Sequence, residues 1–288
     1  LLPDEDFEIF EQYNFIFSII PTGKISPPRK RDIGVKNSVS QYIYFIDDDA
    51  YIKDNIFNKA LDLFLKNTEY ECIAGPAITP EEEDNFAHIS DIFFCSRLGG
   101  GFPERYRQNH SIKYQVDDWP SVNFFITRNA YNVINGFNTD IWPGEDSYFC
   151  SKLLKNKIKI LYSGDLSIFH FRRTNWKKHL NQISNYGFQR GFLIKNKINN
   201  SMNIKYFIPS FFLIATIISF LNIFFQNYIL LIFNFITIVY FSSIFFISIL
   251  NKRNSILVIS LFFSSHIIYG IKFILGFFSK QSIFLKKI

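Results

Sequence analysis

After Lys205 the chain carries no acidic residue, and it runs through three long apolar stretches: Tyr206 to Phe225, Tyr228 to Leu250 and Ser255 to about Phe278. Each is long enough to cross a hydrocarbon core, which takes about 20 helical residues. Only Gln226 and Asn227 separate the first two, the spacing of a tight helical hairpin. The loop Asn251-Lys252-Arg253-Asn254 then returns to the starting side. With Lys195, Lys197 and Lys205 it makes that side the positive one, which predicts residues 1–205 in the cytoplasm. Lys280, Lys286 and Lys287 disagree, because a full third crossing leaves them outside, and Lys272 falls within the third segment. The expectation is three transmembrane helices over 206–288, with Lys272 snorkelling; the alternative is a third segment at the interface, which returns those lysines to the inside.

Charge follows the same division. Lys and Arg number 31 against 25 Asp and Glu, and Lys252, Arg253, Lys272, Lys280, Lys286 and Lys287 account for the whole excess. Residues 1–205 are therefore neutral, and the basic balance reads as membrane-flanking charge rather than as a surface for nucleic acid. Cys72, Cys95 and Cys150 are odd in number and far apart, which predicts reduced core residues. The opening Leu1-Leu2-Pro3-Asp4 reads as the end of a strand cut off from its beginning, so an N-terminally incomplete catalytic domain is expected over 1–173.

That first part alternates strand-like and helix-like segments. Strands are expected at Asn14 to Ile20, Gln41 to Ile46, Cys72 to Ala77, Trp119 to Thr127 and Gly164 to Phe171. Helices are expected at Lys30 to Val39, Asn55 to Lys66, from Arg128, and at Ser147 to Lys155, with another ending near Arg97. Such alternation predicts an α/β fold with a mostly parallel sheet flanked by helices. Leu98 to Asp118 shows no steady periodicity, and its triple glycine fits a connector better than a phosphate cradle.

Tyr42 to Asp49 is an apolar run ending in three consecutive carboxylates. Open α/β sheets place ligands at that end of a strand, and adjacent like charges invite a hard cation such as Mg²⁺ or Mn²⁺. A solvated acidic turn is the alternative. Strand alternation would point Asp48 away from Asp47 and Asp49 unless the triplet turns. Gly144-Glu145-Asp146 stands just before a helix, where acids either favour the helix dipole or, beside a cleft, supply a general base. Arg172 and Arg173, followed by Trp176, Lys177, Lys178 and His179, mix aromatics with bases and predict a segment at headgroup level, amphipathic over 174–205, with substrate-phosphate binding as the other, compatible reading.

The order of these motifs resembles the inverting family 2 glycosyltransferases of GT-A fold, which use nucleotide-diphosphate sugars. The resemblance rests on Pro28 to Gly34 as the basic Asp-x-Gly helix start, and on Asp47-Asp48-Asp49 as the DxD motif. Val122-Asn123-Phe124 through Arg128, Gly136-Phe137, Gly144-Glu145-Asp146 and the strand closed by His170 complete it, over roughly 1–192. It implies catalytic Asp146, with Glu145 as the alternative base, and metal ligands Asp47, Asp49 and His170 for Mg²⁺ or Mn²⁺. It also implies a donor-binding set of Asp4, Arg31, Asp48, Asn123 and Arg190. The expected partners are a nucleotide-diphosphate sugar, a lipid-linked or glycan acceptor and membrane lipid. Processive members carry Gln-x-x-Arg-Trp after the base; here Tyr186 to Gly191 lacks it, which favours a single transfer. A processive polysaccharide synthase and an inactive nucleotide-sugar-binding membrane subunit are the rival readings.

Overall fold

The structure, a computed structural model, describes residues 18–52 and 55–280. Helix α1 (Pro27–Lys36) leads into β1 (Tyr42–Ile46) and β2 (Ala50–Tyr51), followed by α2 (Ile56–Lys66), β3 (Cys72–Ala74), β4 (Ala77–Ile78) and α3 (Asn85–Phe94). Strands β5 (Lys113–Val116) and β6 (Asn123–Thr127) precede α4 (Arg128–Val133), α5 (Glu145–Lys155), β7 (Ile160–Ser163) and β8 (Ile168–His170). Four longer helices close the chain: α6 (Trp176–Lys195), α7 (Ile208–Phe225), α8 (Leu231–Leu250) and α9 (Ser255–Phe277).

Five strands form the main sheet in the order β1-β6-β3-β7-β5, and β2-β8-β4 form a smaller one. The α/β class is as expected, but the described strand directions are mixed rather than mostly parallel. In the main sheet only β3 and β7 run parallel, whereas β6 pairs antiparallel with both β1 and β3. Side chains alternate across this sheet as the pleat requires. Cys72, Phe124, Ile126, Ile160 and Tyr162 enter one core with α4 and α5; Ile73, Phe125 and Leu161 enter the opposite core with α2. Both faces are covered, so the central strands read as unbroken apolar runs. All three cysteines are buried free thiols, Cys72 and Cys150 in the first of these cores.

Several boundaries differ from the sequence expectation. The run expected as one strand from Cys72 to Ala77 is two, each joining a different sheet. The irregular 98–118 region contains the edge strand β5, which is exposed at every position but Val116 and so leaves little apolar signal. Of the strand expected from Gly164 to Phe171 only Ile168–His170 is one, and β7, just before the turn at Gly164, lies outside the expected strands. Residues 14–17 of the first expected strand lie outside the described residues, and 18–20 form no regular element.

A third core ties this domain to the C-terminal helices: Phe93 and Phe94 of α3 and Ile183 of α6 pack with Phe212, Tyr240, Val258 and Phe262. Arg172, expected at headgroup level, is buried here instead. It donates to Thr79 Oγ1 at 2.8 Å, pairs with Asp91 at 3.3 Å and lies over the Tyr106 ring. His179 is buried too, between the hydroxyls of Ser90 and Ser265, each 2.9 Å away. Burial, with the charge of Arg172, holds its pKa down at about 4, so the imidazole is neutral.

The Gly136-Phe137 turn is fixed from α1. The backbone N–H groups of Phe137 and Asn138 each donate to Asp32 at 2.8 Å, and the Tyr131 hydroxyl donates to the same carboxylate. Hydrogen bonds to a charged acceptor each contribute about 1.5–3 kcal/mol. Asp32→Ala is therefore expected to destabilise the domain by about 3 kcal/mol, read as a lowered midpoint in thermal unfolding of the detergent-solubilised protein. An unchanged midpoint would show that the turn holds without it.

Candidate active site

The carboxylates that the sequence singles out converge because three element ends meet at one cleft. The acid triplet is not a continuation of β1. Ala50 N–H donates to Asp47 C=O at 3.2 Å, closing a tight turn that hands the chain from the large sheet to the small one. All three aspartates consequently line the same open cleft, Asp48 at its exposed rim. The alternation that would have turned Asp48 away does not apply within a turn.

Across the cleft, α5 begins at Glu145 because Gly144 adopts a left-handed conformation, φ 102°. A side chain there would also collide with Gln189 Cγ at 2.5 Å, so glycine is required on two counts. Arg31 of α1 joins the two walls. Its guanidinium donates to Asp47 Oδ1 at 2.8 Å and to Glu145 Oε1 at 3.0 Å, and it lies 5.5 Å over the Phe137 ring that Asp32 helps to seat. Burial opposes the charged form of Arg31, but Asp146, Glu145 and Asp47 outweigh it and raise its pKa.

The two acids of α5 respond in the opposite direction. Burial raises the pKa of Glu145, reinforced by the charge of Asp146 and offset in part by Arg31. Burial likewise raises that of Asp146, against the stabilising charge of Arg31. A carboxylate pushed toward neutral pH is a stronger general base than an ordinary one. Asp146 occupies the partition between two spaces. One is the open cleft with the acid triplet; the other is a smaller, partly open pocket of about 170 Å³ against the C-terminal helices, lined also by Arg105, Asp118, Gln189, Arg190 and Tyr206.

At the other end of the triplet, Asp49 meets His170 of β8, with Nε2 2.9 Å from Oδ1, and Arg173 at 3.2 Å. Burial would raise the Asp49 pKa, but His170 and then Arg173 lower it. Among the described residues, no three acidic, histidine or cysteine side chains converge as a closed metal site. Mg²⁺, however, is commonly held by one or two carboxylates together with substrate phosphates, which the oxygens of Asp47 and Asp49 fit; the His170 nitrogen suits a softer ion.

Arg31, Asp47, Asp48, Asp49, Glu145, Asp146 and His170 thus line one cleft. Two donor-binding expectations are corrected. Asn123 is fully buried and absent from the cleft lining: its amide donates to Leu166 C=O at 2.6 Å and Pro76 C=O at 3.2 Å, and its oxygen accepts from Tyr44. It ties the two sheets together. Arg190 lines the smaller pocket rather than the open cleft, stacked 3.6 Å from the Tyr206 ring and donating to Ser147 Oγ at 3.1 Å. Asp4 lies outside the described residues.

The sequence also missed contributors. Arg173, read as a lipid contact, faces Asp49, and Lys178, Gln182 and Asn185 in the first half of α6 line the open cleft. Asp118 receives Arg105 at 3.3 Å, Arg190 at 3.7 Å and the Tyr206 hydroxyl at 2.9 Å. These partners come from distant segments with no shared spacing. Only the basic-aromatic composition after His170 signalled any of them.

The sequence is similar to those of known proteins. A relative from Methanococcus voltae, dolichyl N-acetyl-alpha-D-glucosaminyl phosphate 3-beta-D-2,3-diacetamido-2,3-dideoxy-beta-D-glucuronosyltransferase, is 23% identical over 198 residues, 66% of this chain. The chain spans 59% of that relative's length. The model of glycosyl transferase family group 2 matches residues 42–274, from β1 through most of α9. With more than half of its length so matched, the chain belongs to the family 2 glycosyltransferases.

Proposed function

We propose that this glycosyltransferase is membrane-anchored and moves one sugar from a nucleotide-diphosphate donor to a lipid-linked acceptor, with inversion and with help from Mg²⁺ or Mn²⁺. The observation that carries this reading is the position of Asp146, between a cleft holding the acid triplet and a pocket walled by the C-terminal helices. The relative's name supports the acceptor class, since it specifies a dolichyl-linked sugar phosphate. Three helices long and apolar enough to cross a membrane support the anchoring.

In this reading the donor occupies the open cleft and the acceptor hydroxyl approaches Asp146 from the smaller pocket. Asp146 takes the hydroxyl proton as that oxygen forms its bond to the anomeric carbon from the face opposite the diphosphate. The anomeric carbon–oxygen bond breaks, and the nucleoside diphosphate leaves with the electron pair. Arg31 holds Glu145 and Asp47 in place while keeping Asp146 ionised. Asp49 and His170, with Asp47 across the turn, would hold the divalent ion, which supplies neutralisation of the departing diphosphate.

Three expectations test this reading on full-length protein. Asp146→Asn is expected to reduce transfer by at least about 10³-fold, from loss of general base catalysis, while donor binding persists; turnover near normal would move the base elsewhere. Asp49→Ala is expected to abolish the Mn²⁺-dependent part of nucleotide-sugar binding in a thermal-shift titration. Donor binding that is indifferent both to this change and to chelator would sink the metal role. The third concerns pH. Because Arg31 favours the ionised form of the acids, Arg31→Met must raise their pKa and shift the acidic limb of kcat/KM to higher pH. That limb reports the pair, and a shift in the other direction would contradict the electrostatic role of Arg31.

A further inference from the structure

Helix α9 contains 23 residues, about 34 Å at 1.5 Å per residue, so its length alone is compatible with a third crossing. Its contacts are not. A third span would carry its far end about 30 Å from the catalytic domain. Instead both ends of α9 touch that domain and its α6 extension. Just before the first turn, Arg253 Nη1 donates to Asn85 Oδ1, at the start of α3, at 2.7 Å. Just past the last turn, Lys195 Nζ at the end of α6 donates to Ser279 C=O at 2.9 Å.

Between these ends α9 follows α6 in parallel. His179 meets Ser265, Gly187 lies against Tyr269, Gly191 against Phe273, and Phe188 against Gly276. The approach is backbone to backbone: a methyl group on Gly191 would stand 2.1 Å from Phe273 O, and one on Gly276 would stand 1.8 Å from Phe188 O. Helix α6 is itself fixed to the catalytic domain through Arg190 on Ser147 and His179 on Ser90.

The α7–α8 hairpin is gripped only at its base. Helix α9 meets Pro209, Phe212 and Leu213 at the start of α7, and Tyr240 near the middle of α8. The outer half of the hairpin exposes Phe220, Ile223, Phe224, Phe225, Tyr228 and Ile229 at 60–88%. A third span would have packed along that half.

We propose that α9 does not cross the membrane but lies in its surface plane, across the base of a two-span α7–α8 anchor. The occupant of its outer face is the lipid headgroup and upper acyl region. That face exposes apolar side chains at its two ends, Ile256 and Leu257 in the first turn and Ile271, Ile274, Leu275 and Phe278 in and just after the last two, whereas its inner face packs on α3 and α6. The inner side chains Val258, Leu261 and Phe262 are covered by protein, which leaves the exposed ones to the headgroup and upper acyl region. The placement returns Lys280, Lys286 and Lys287 to the side that carries Lys195, Lys197, Lys205 and Arg253, so that the positive charges of the tail agree.

The test reads topology and depth, independently of transfer activity. An epitope tag fused after Ile288 of the full-length protein, in sealed vesicles of known orientation, is expected to be cleaved by protease from the face that exposes the catalytic domain. Cleavage from the opposite face overturns the proposal. In Ile274→Trp protein, fluorescence is expected to be quenched most by lipids brominated near the headgroup. Strongest quenching by bromines at the bilayer centre overturns the proposal equally.

Discussion

The site depends on one buried cation shared by two walls. Arg31 reaches Asp47 at the end of β1 and Glu145 at the start of α5, and neither carboxylate has a comparable partner among the described ion pairs. Removing one member of such a buried set leaves uncompensated charge and typically costs about 3–5 kcal/mol. Its neighbour Asp32 faces the other way and holds the Gly136-Phe137 turn, whose ring lies beneath the Arg31 guanidinium. Two successive residues of α1 thus set both the electrostatics of the cleft and the packing that supports them.

The sequence made the acids legible because each closes or opens a regular element. Asp47 to Asp49 end an apolar run, and Glu145-Asp146 begin a helix after Pro143-Gly144, so spacing alone puts them near a strand end and a helix start. The pairing of β1 with β6 was not legible, nor the division of the Cys72 to Ala77 run between two sheets. Both depend on which strands become neighbours, and period-2 patterns do not encode that. Asn123 misled for a related reason. A polar residue in an apolar strand next to a motif suggests a ligand contact, yet its amide is spent on Pro76 and Leu166 where the sheets diverge.

Bases in the segment after His170 were harder to read, because charge beside a membrane helix has several uses. Arg172 neutralises Asp91 inside the protein, Arg173 faces Asp49, and Arg190 stacks on Tyr206 in the smaller pocket. Apolar stretches were legible as helices for the opposite reason: composition alone dictates a helix in which backbone groups satisfy each other. What composition left open was direction. Lys272, Lys280 and the terminal lysines sat badly with a third crossing, and the glycine contacts between α6 and α9 supply a physical account of that misfit.

His266 and Tyr269 of α9 line the same pocket as Asp146. A helix with its side chains is about 10–12 Å across. With α9 placed among the headgroups as proposed, the pocket beside Asp146 stands about one helix diameter from the lipid. For the lipid-linked acceptor of the proposed function this means lifting only its head out of the bilayer while the hydrocarbon tail stays dissolved, so that the cost of extracting it never enters the barrier.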